Sequence, residues 1–564
     1  MNEMSGAEAM VRMLQLYGVE HIFGLCGDTS LPFYDALFRT GQGIQHILTR
    51  DERSAAYMAD GYARVTGRVG VCEGPSGGGA TYILPGIVEA NESSIAVLGI
   101  TTDIAVGSRG RFALTELDQK ALFSPLTKWN NVIERSDLVP STVRDAFRAM
   151  TTGRPGAAHI GFPFDVQNGV VSDSELWAQE EHSSFPAWRI APNPDAVERA
   201  ANALLQARLP VFVCGGGVVI SGAECELKAL ATALNAPVAT TISGQGSLPD
   251  THDLCLGVVG SNGGTPATRS VVDAADLVVF VGCRAGSVTT ERWRHPGPHT
   301  KIIHIDVDPA VISANYRTEV ALLADAKLAL AALLEIVSIE AAAGESRCHE
   351  GTQRVKRAKA ERNALYQKLA KSRESPIRPE RIVAVLNKVL PRDAIVVADP
   401  GTPCPYISAY YEFQETGRHF ISNRAHGALG YALSAAVGAW FGRPSARCVA
   451  VMGDGSFAFT VGELETIIRL KVPILIIVLS NDTFSWIKAG QKTNFSSRYY
   501  SVDFSTTNHA EVAKAYGLQA WRVEDPDELP ATLAAAAECG EPCLVDIVTQ
   551  PLHDAEAPVS EWIA

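Results

Sequence analysis

The chain has 564 residues, 46% of them hydrophobic, which is enough for several ordinary domains with buried cores and argues against disorder. Its 49 basic and 62 acidic side chains leave a net charge of −13, which excludes nucleic acid and anionic membranes as main partners. A small anion stays admissible, because backbone N–H groups and a metal can hold one locally. No apolar run reaches the length of a membrane span, and Met1-Asn2-Glu3-Met4 lacks the basic-then-apolar pattern of a secretory signal. The 11 cysteines are dispersed without a C-x-x-C pair and read as reduced thiols, so a cytoplasmic protein is expected.

In chain order, a first helix is predicted from Ser5, where Glu8 completes a capping box, to near Gly18. Short apolar strands then alternate with helices: His21–Leu25, Gln45–Thr49, Val69–Cys72 and Ile95–Thr101, running on to about Phe164. This rhythm implies a mainly parallel sheet covered on both faces. A polar stretch from Ser172 to Pro194 reads as a linker. A second unit has strands at Pro210–Cys214, Leu277–Gly282 and Lys301–Val307. Charged, helical sequence from Ala341 to Ser375 reads as a second linker. A third unit has strands at Ala394–Ala398, Cys448–Met452, Ile474–Leu479 and Pro542–Val548. The fold class expected is α/β, with three consecutive doubly wound parallel-sheet domains over residues 1–170, 190–340 and 376–564.

The third unit carries the strongest chemistry. One strand runs into Gly453-Asp454-Gly455-Ser456, a helical segment Gly462–Leu470 follows, and the next strand runs into Ser480-Asn481-Asp482-Thr483. Two strand ends thus place a carboxylate and a carboxamide at one edge of a parallel sheet, where ligands of open α/β sheets sit. Mg2+ takes about six oxygens and keeps phosphate oxygens among them. Asp454 and Asn481 can give two, and the carbonyl of Thr483 a third. The glycines admit backbone N–H groups to a diphosphate, with a helix N-terminus adding its dipole. Alone, a Gly-Asp-Gly is more often a tight turn. Here a strand precedes each half, and 25 residues separate Gly455 from Asn481. This resembles the Gly-Asp-Gly…Asn signature of thiamine-diphosphate enzymes.

In the first unit, Glu52 follows a strand at a helix start, within Thr49-Arg50-Asp51-Glu52-Arg53 and Met58-Ala59-Asp60-Gly61-Tyr62-Ala63-Arg64. On its own it reads as a solvated carboxylate favoured by the helix dipole. The segment resembles the R-H-E-Q…M-A-D-G-Y-A-R stretch of acetohydroxyacid synthases, and further resemblance spans nearly the whole chain. It includes Gly24-Leu25-Cys26-Gly27-Asp28, Pro75–Thr81, Leu117-Asp118-Gln119, Cys214–Gly217, Val281–Arg284, Ile303–Pro309 and Gly427-Ala428-Leu429-Gly430.

The resemblance implies pyrimidine-binding, middle and diphosphate-binding domains. It implies thiamine diphosphate and Mg2+ as cofactors, with Glu52 bonding the pyrimidine ring nitrogen and Leu429 supporting the cofactor from below. The cofactor-binding set is then Gly427, Leu429, Gly453, Asp454, Gly455, Ser456, Asn481, Thr483, Trp486 and Ile487. It also implies a homodimer or homotetramer, with Glu52 from one subunit and the metal site from another. The middle domain resembles one that holds FAD in synthases and ADP or nothing in relatives. Gly215-Gly216-Gly217 and Arg284 suit a diphosphate, and FAD stays an open expectation. The activity implied is a carboligase that decarboxylates a 2-oxo acid such as pyruvate and transfers the acyl unit to a second carbonyl.

Departures from the family cluster where substrate would sit. Asp51-Glu52-Arg53 stands for H-E-Q, Gly78 for a proline, Thr115 for a glutamine, and Gly401–Tyr406 for G-Q-H-Q-M-W. His426 replaces an aliphatic residue, and Ser485-Trp486-Ile487-Lys488 replaces G-M-V-T. Gly27, Thr115, His426 and Lys488 are the candidate substrate-pocket residues. His426 reads equally as a proton donor or as a hydrogen-bonded histidine at a helix entrance. Lys488 could bind an acidic substrate or be a surface lysine, and Trp486 could wall the pocket or pack the core. A 2-oxo-acid decarboxylase and a carbon–carbon lyase are the alternatives. The His-His pair of pyruvate decarboxylases is missing between Arg109 and Lys128. A non-catalytic nucleotide-binding protein is disfavoured by Glu52, Asp454 and Asn481, and a dehydrogenase by the lack of G-x-G-x-x-G spacing after Gly215.

Overall fold

The computed structural model describes residues 3–342 and 350–562. Ser5 caps the first helix, Gly6–Leu16, as its sequence predicts. The Ser5 hydroxyl accepts from the Glu8 N–H at 3.2 Å, and the Glu8 carboxylate accepts from the Ser5 N–H at 2.8 Å.

Three six-stranded sheets follow, and every neighbouring pair within them is parallel. The first has the spatial order Gln45–Leu48, His21–Gly24, Gly70–Gly74, Val97–Asp103, Ala158–Pro163, Trp129–Val132. The second has the order Cys255–Val258, Val238–Thr240, Pro210–Cys214, Leu277–Val281, Lys301–Asp306, Val320–Leu323. The third has the order Phe420–Ile421, Ile395–Ala398, Cys448–Gly453, Leu475–Ser480, Cys543–Val548, Gln519–Val523. Central strands such as Val97–Asp103 and Leu475–Ser480 are buried at every position, because helices cover both faces. The α/β expectation of three doubly wound sheets therefore holds, and the predicted strands agree with the observed ones to within two residues.

Two segments read as linkers do more than connect. Within Ser172–Pro194, Ser184 bridges Arg68, and the Phe185 and Ala187 N–H groups donate to the Gly67 and Thr151 carbonyls at 2.9 and 3.0 Å. Of the stretch Ala341–Ser375, residues 343–349 lie outside the described residues. The helix Gly351–Leu369 packs on the helix Pro266–Asp273, where the Arg354 guanidinium donates to the Val271 carbonyl at 3.0 Å.

By packing, the chain divides into two compact units. One takes the chain up to Trp188 together with Asn423–Ser445 and Phe459–Val472. The other takes Arg189–Ser422, Ala446–Ala458 and the chain from Pro473 on. In the first unit the helix Tyr431–Gly442 crosses the helix Glu52–Thr66 with backbones nearly touching. A methyl group on Gly61 would lie 2.9 Å from Ala435 Cα, and one on Gly438 would lie 2.7 Å from Met58 Cα. Among the described residues no helix is long and apolar enough to cross a membrane.

Candidate active site

Glu52 opens the helix Glu52–Thr66, and the residue before it sets the start. Asp51 is extended and caps the helix, accepting from the Arg53 N–H at 2.8 Å while pairing with the Arg53 guanidinium at 2.6 Å. Arg50 donates its N–H to Glu463 at 2.9 Å, which anchors the approach to the helix. Glu52 itself is 7% exposed. Burial raises its pKa, the negative charges of Asp51 and Glu73 add to the rise, and the helix-start N–H and Arg53 oppose it. The solvated-carboxylate reading is thus set aside. Space beside Glu52 is kept by glycine: methyl groups on Gly74 and Gly79 would lie 3.4 Å from its Cγ and 3.2 Å from its Oε1.

Three loops of the same unit converge nearby. Gly27 faces Pro75, whose Cγ would stand 2.9 Å from a methyl group at Gly27. Gly77 has φ +69° and faces Thr115, whose Cβ would stand 2.8 Å from such a group. Thr115, at φ +66°, bonds the Ser76 hydroxyl at 2.7 Å. Ser76 reaches Thr29 at 3.1 Å, Thr29 reaches Thr102 at 2.8 Å, and Thr102 reaches Ser30 at 3.1 Å. Five linked hydroxyls thus run from Thr115 to Ser30, and Gly27 and Thr115 each border the turn Pro75–Gly77. Thr29, Ser76 and Thr102 were missed, since no local motif marks them.

The segment Gly427–Leu429 also lies in this unit. Gly427 has φ +73°, with open space where a side chain would be, and Asn423 donates to the Ala428 carbonyl at 2.5 Å. The His426 ring is exposed, and its main-chain N–H donates to Glu89 at 2.7 Å. Glu89 belongs to a buried network: Arg64 pairs with Asp60 at 2.8 Å and with Glu89 at 3.1 Å, and the Tyr431 hydroxyl donates to Asp60. This network fixes where residues 426–431 enter their helix.

The second compact unit holds the other candidates. The strands Cys448–Gly453 and Leu475–Ser480 are adjacent and parallel, with Gly453 opposite Leu479. Asp454 and Asn481 therefore sit just beyond neighbouring strand ends. Asp454 is 3% exposed, and its Oδ2 accepts from the N–H groups of Asn481 and Asp482, each at 2.7 Å. Its Oδ1 accepts from Gly455 N–H at 2.8 Å. Burial raises its pKa against these bonds. The Asn481 side-chain oxygen accepts from Ser485 at 2.8 Å, and the Thr483 carbonyl accepts from the Ser485 N–H at 2.8 Å. The Ser456 hydroxyl donates to Asp399. Among the described residues no three His, Cys, Asp or Glu side chains gather as a metal cage. The oxygens at this edge are a carboxylate, a carboxamide and main-chain carbonyls.

One part of the sequence reading needs correction here. The helix directly after Gly453 is the four-residue Asp454–Phe457, too short to present much of a dipole. The segment Gly462–Leu470 forms a turn at Val461–Glu463 and a helix at Leu464–Leu470, within the first unit.

Lys488 is committed to Asp503 at 2.7 Å and lies 5.1 Å from the Tyr499 ring centre. Trp486 is half-buried, edge-on to Trp562 at 5.1 Å and against the core of the third sheet. Ile487 is exposed. In the middle sheet, methyl groups on Gly215 and Gly217 would lie 2.7 Å from Cys283 Cα and from Gly282 Cα respectively. Those two glycines serve the close packing of two turns.

Comparison with known proteins agrees along the chain. Residues 4–122 match the family "Thiamine pyrophosphate enzyme, N-terminal TPP binding domain". Residues 197–333 match "Thiamine pyrophosphate enzyme, central domain". Residues 399–547 match "Thiamine pyrophosphate enzyme, C-terminal TPP binding domain". The chain is similar to a probable acetolactate synthase large subunit of Methanocaldococcus jannaschii, with 35% identity over 97% of this chain and 92% of the relative. It is similar to the acetolactate synthase isozyme 3 large subunit of Escherichia coli K12, with 31% identity over 95% of this chain and 93% of the relative. It is also similar to the acetolactate synthase large subunit of Corynebacterium glutamicum, with 32% identity over 97% of this chain and 87% of the relative.

Proposed function

This chain belongs to the thiamine pyrophosphate enzymes related to acetolactate synthase large subunits, and on that footing we propose a carboligase that decarboxylates a 2-oxo acid such as pyruvate and passes the acyl unit to a second carbonyl. The observation that carries the reading is a buried, pKa-raised Glu52 in the same chain as an oxygen-rich pair of strand ends at Asp454 and Asn481.

Thiamine diphosphate, when bound, supplies the stabilised carbanion that this chemistry needs. The donors at the strand ends fit Mg2+, which takes oxygen ligands and keeps places for phosphate and water. Asp454, Asn481 and the Thr483 carbonyl would hold the metal. Gly453, Gly455 and Ser456 would line the diphosphate, with Trp486 and Ile487 beside it. A buried carboxylate bonded only to neutral N–H groups gains from a divalent cation, and among the described residues Asp454 is such a carboxylate. Glu52 would hold a proton against the pyrimidine ring, where low solvation lets it share that proton. Gly427 and Leu429 would support the ring. Gly27, Thr115 and His426 would face the substrate, whereas Lys488 already has a carboxylate partner. FAD has less support, because Gly215 and Gly217 are taken up by packing, and no step is assigned to it.

Pyruvate with thiamine diphosphate and Mg2+, alone and with a second 2-oxo acid, is the test. The expected product by mass spectrometry is a branched hydroxy-oxo acid. Free aldehyde alone would point to a decarboxylase, and no pyruvate consumption by cofactor-loaded protein would remove pyruvate as donor.

The assembly proposed is a homodimer or homotetramer, with active sites at subunit interfaces. Mixing Glu52→Gln with Asp454→Ala under exchange conditions then restores about a quarter of wild-type activity, because half the dimers are hybrids with one intact site. No recovery in the mixture would mean that Glu52 and Asp454 serve within one copy. We place the protein in the cytoplasm, where the ten described free cysteines would stay reduced.

A further inference from the structure

The strand Gly70–Gly74 is buried at every position, yet its fourth residue is a glutamate. Glu73 is wholly out of water. Its partner across the parallel ladder is Gly24, and a methyl group there would stand 2.6 Å from Glu73 Cγ. The side chain that Gly24 lacks is thus the space in which the Glu73 side chain lies.

Two groups reach Glu73 Oε1 from other elements. Tyr34, on the helix Leu31–Thr40, donates its phenol proton, and His46, on the strand Gln45–Leu48, brings Nε2 to 3.3 Å. The Tyr34 oxygen and His46 Nε2 are 2.9 Å apart. Among the described residues Glu73 Oε2 is buried and has no hydrogen-bond partner. A carboxyl kept in that condition is costly, and such groups call for a functional account.

The same strand end runs alongside Glu52. Gly74, the next residue, has its α-carbon hydrogen where a methyl group would be 3.4 Å from Glu52 Cγ. Tyr34 senses both carboxyls: burial first, then Glu73, raises its pKa far above the usual value, with Cys26 and Glu52 adding. The phenol therefore stays a donor. The other charged groups near Glu52 are Asp51 and Arg53 on its own helix start and Glu463 next to Asp51.

We propose that Glu73, held by Tyr34 and His46 on the strand end that runs alongside Glu52, is a positioning residue for Glu52: a second buried carboxyl built next to the proton-holding one. The inference rests on Glu52 being the proton-holding group. Like charges in one poorly solvated site push a carboxyl to titrate higher, so removing Glu73 lowers the pH at which Glu52 ionises.

The test is an infrared titration of the cofactor-free protein, following the protonated-carboxyl band that Glu52→Gln removes. In Glu73→Gln that band should vanish at a pH lower by about one unit. Tyr34→Phe should move it the same way by less, and the double variant should move it no further than Glu73→Gln alone, since Tyr34 acts through Glu73. A Glu52 band that titrates alike in wild type and folded Glu73→Gln overturns the proposal. If Glu73→Gln does not fold, an unmoved band in Tyr34→Phe does so. Thiazolium proton exchange in Glu52→Gln separates the two readings. Intact exchange there removes Glu52 from the chemistry, whereas lost exchange with an unmoved band removes only Glu73.

Discussion

Glu52→Gln should fold, bind thiamine diphosphate and turn over about 10²–10⁴-fold more slowly than the wild type. The carboxamide keeps the size and one hydrogen bond but carries no transferable proton. Deuterium exchange of the thiazolium proton, by quenched flow, should slow in parallel. Stability should move the other way. The Glu52 pKa is raised by burial, so its folded form binds a proton more tightly than its unfolded form. Ionising it in the fold therefore costs stability, increasingly as pH rises from the ordinary carboxylate range through the raised value. Gln has no such cost, and the variant should melt no lower than wild type at pH 8. A mutant with wild-type exchange rates would take Glu52 out of the mechanism. Asp51, its chain neighbour, is then the next carboxylate to test, though it is committed to capping the helix and pairing with Arg53.

The second large effect is expected at Asp454. Asp454→Ala removes the charged oxygen from the proposed Mg2+ site, and thiamine diphosphate affinity in Mg2+ should fall by at least about 100-fold, beyond what outer-shell changes cost. The same carboxylate accepts three main-chain N–H bonds, from Gly455, Asn481 and Asp482. Some loss of stability must accompany the change, about 1–3 kcal/mol for each buried donor left bare. Asp454→Asn separates the two effects, because it retains an acceptor and loses the charge. Calorimetry should find cofactor binding strongly weakened in both variants, and melting lowered more in the alanine one, since the carboxamide oxygen can still accept from Asn481 and Asp482 and leaves only the Gly455 N–H bare. Wild-type affinity in Asp454→Ala would end the metal assignment.

The local signals were legible before the structure. The capping box at Ser5 and Glu8 formed, and the strands before Asp454 and Asn481 came out as parallel neighbours. Both rest on short-range rules. The edge strands Phe420–Ile421 and Gln519–Val523 were not legible, one because it has two residues and the other because Gln519 and Arg522 interrupt its apolar pattern. The hydroxyl chain from Thr115 to Ser30 could not be read either, since it joins four separate segments. Glu73 left a trace: a carboxylate inside Val71-Cys72-Glu73, the middle of a buried strand. Its partners Tyr34 and His46 did not, because neither stands in a motif. Lys488 looked free for substrate, and a partner 15 residues on, Asp503, was what the pattern could not supply.

The helix Glu52–Thr66 is roofed by Tyr431–Gly442, which lies far along the same chain. During synthesis, at about 5–20 residues per second, the roughly 240 residues between Trp188 and Tyr431 take roughly 12–50 s to appear. Through that interval the nascent chain presents to the cell an apolar helix face with Asp60 and Arg64 lacking their Tyr431 lid. The helix Glu52–Thr66 must therefore wait, half-covered, for a late segment to arrive. Ribosome-bound chains stopped before residue 431 should be cut by protease within Glu52–Thr66, and chains extended past residue 472 should resist.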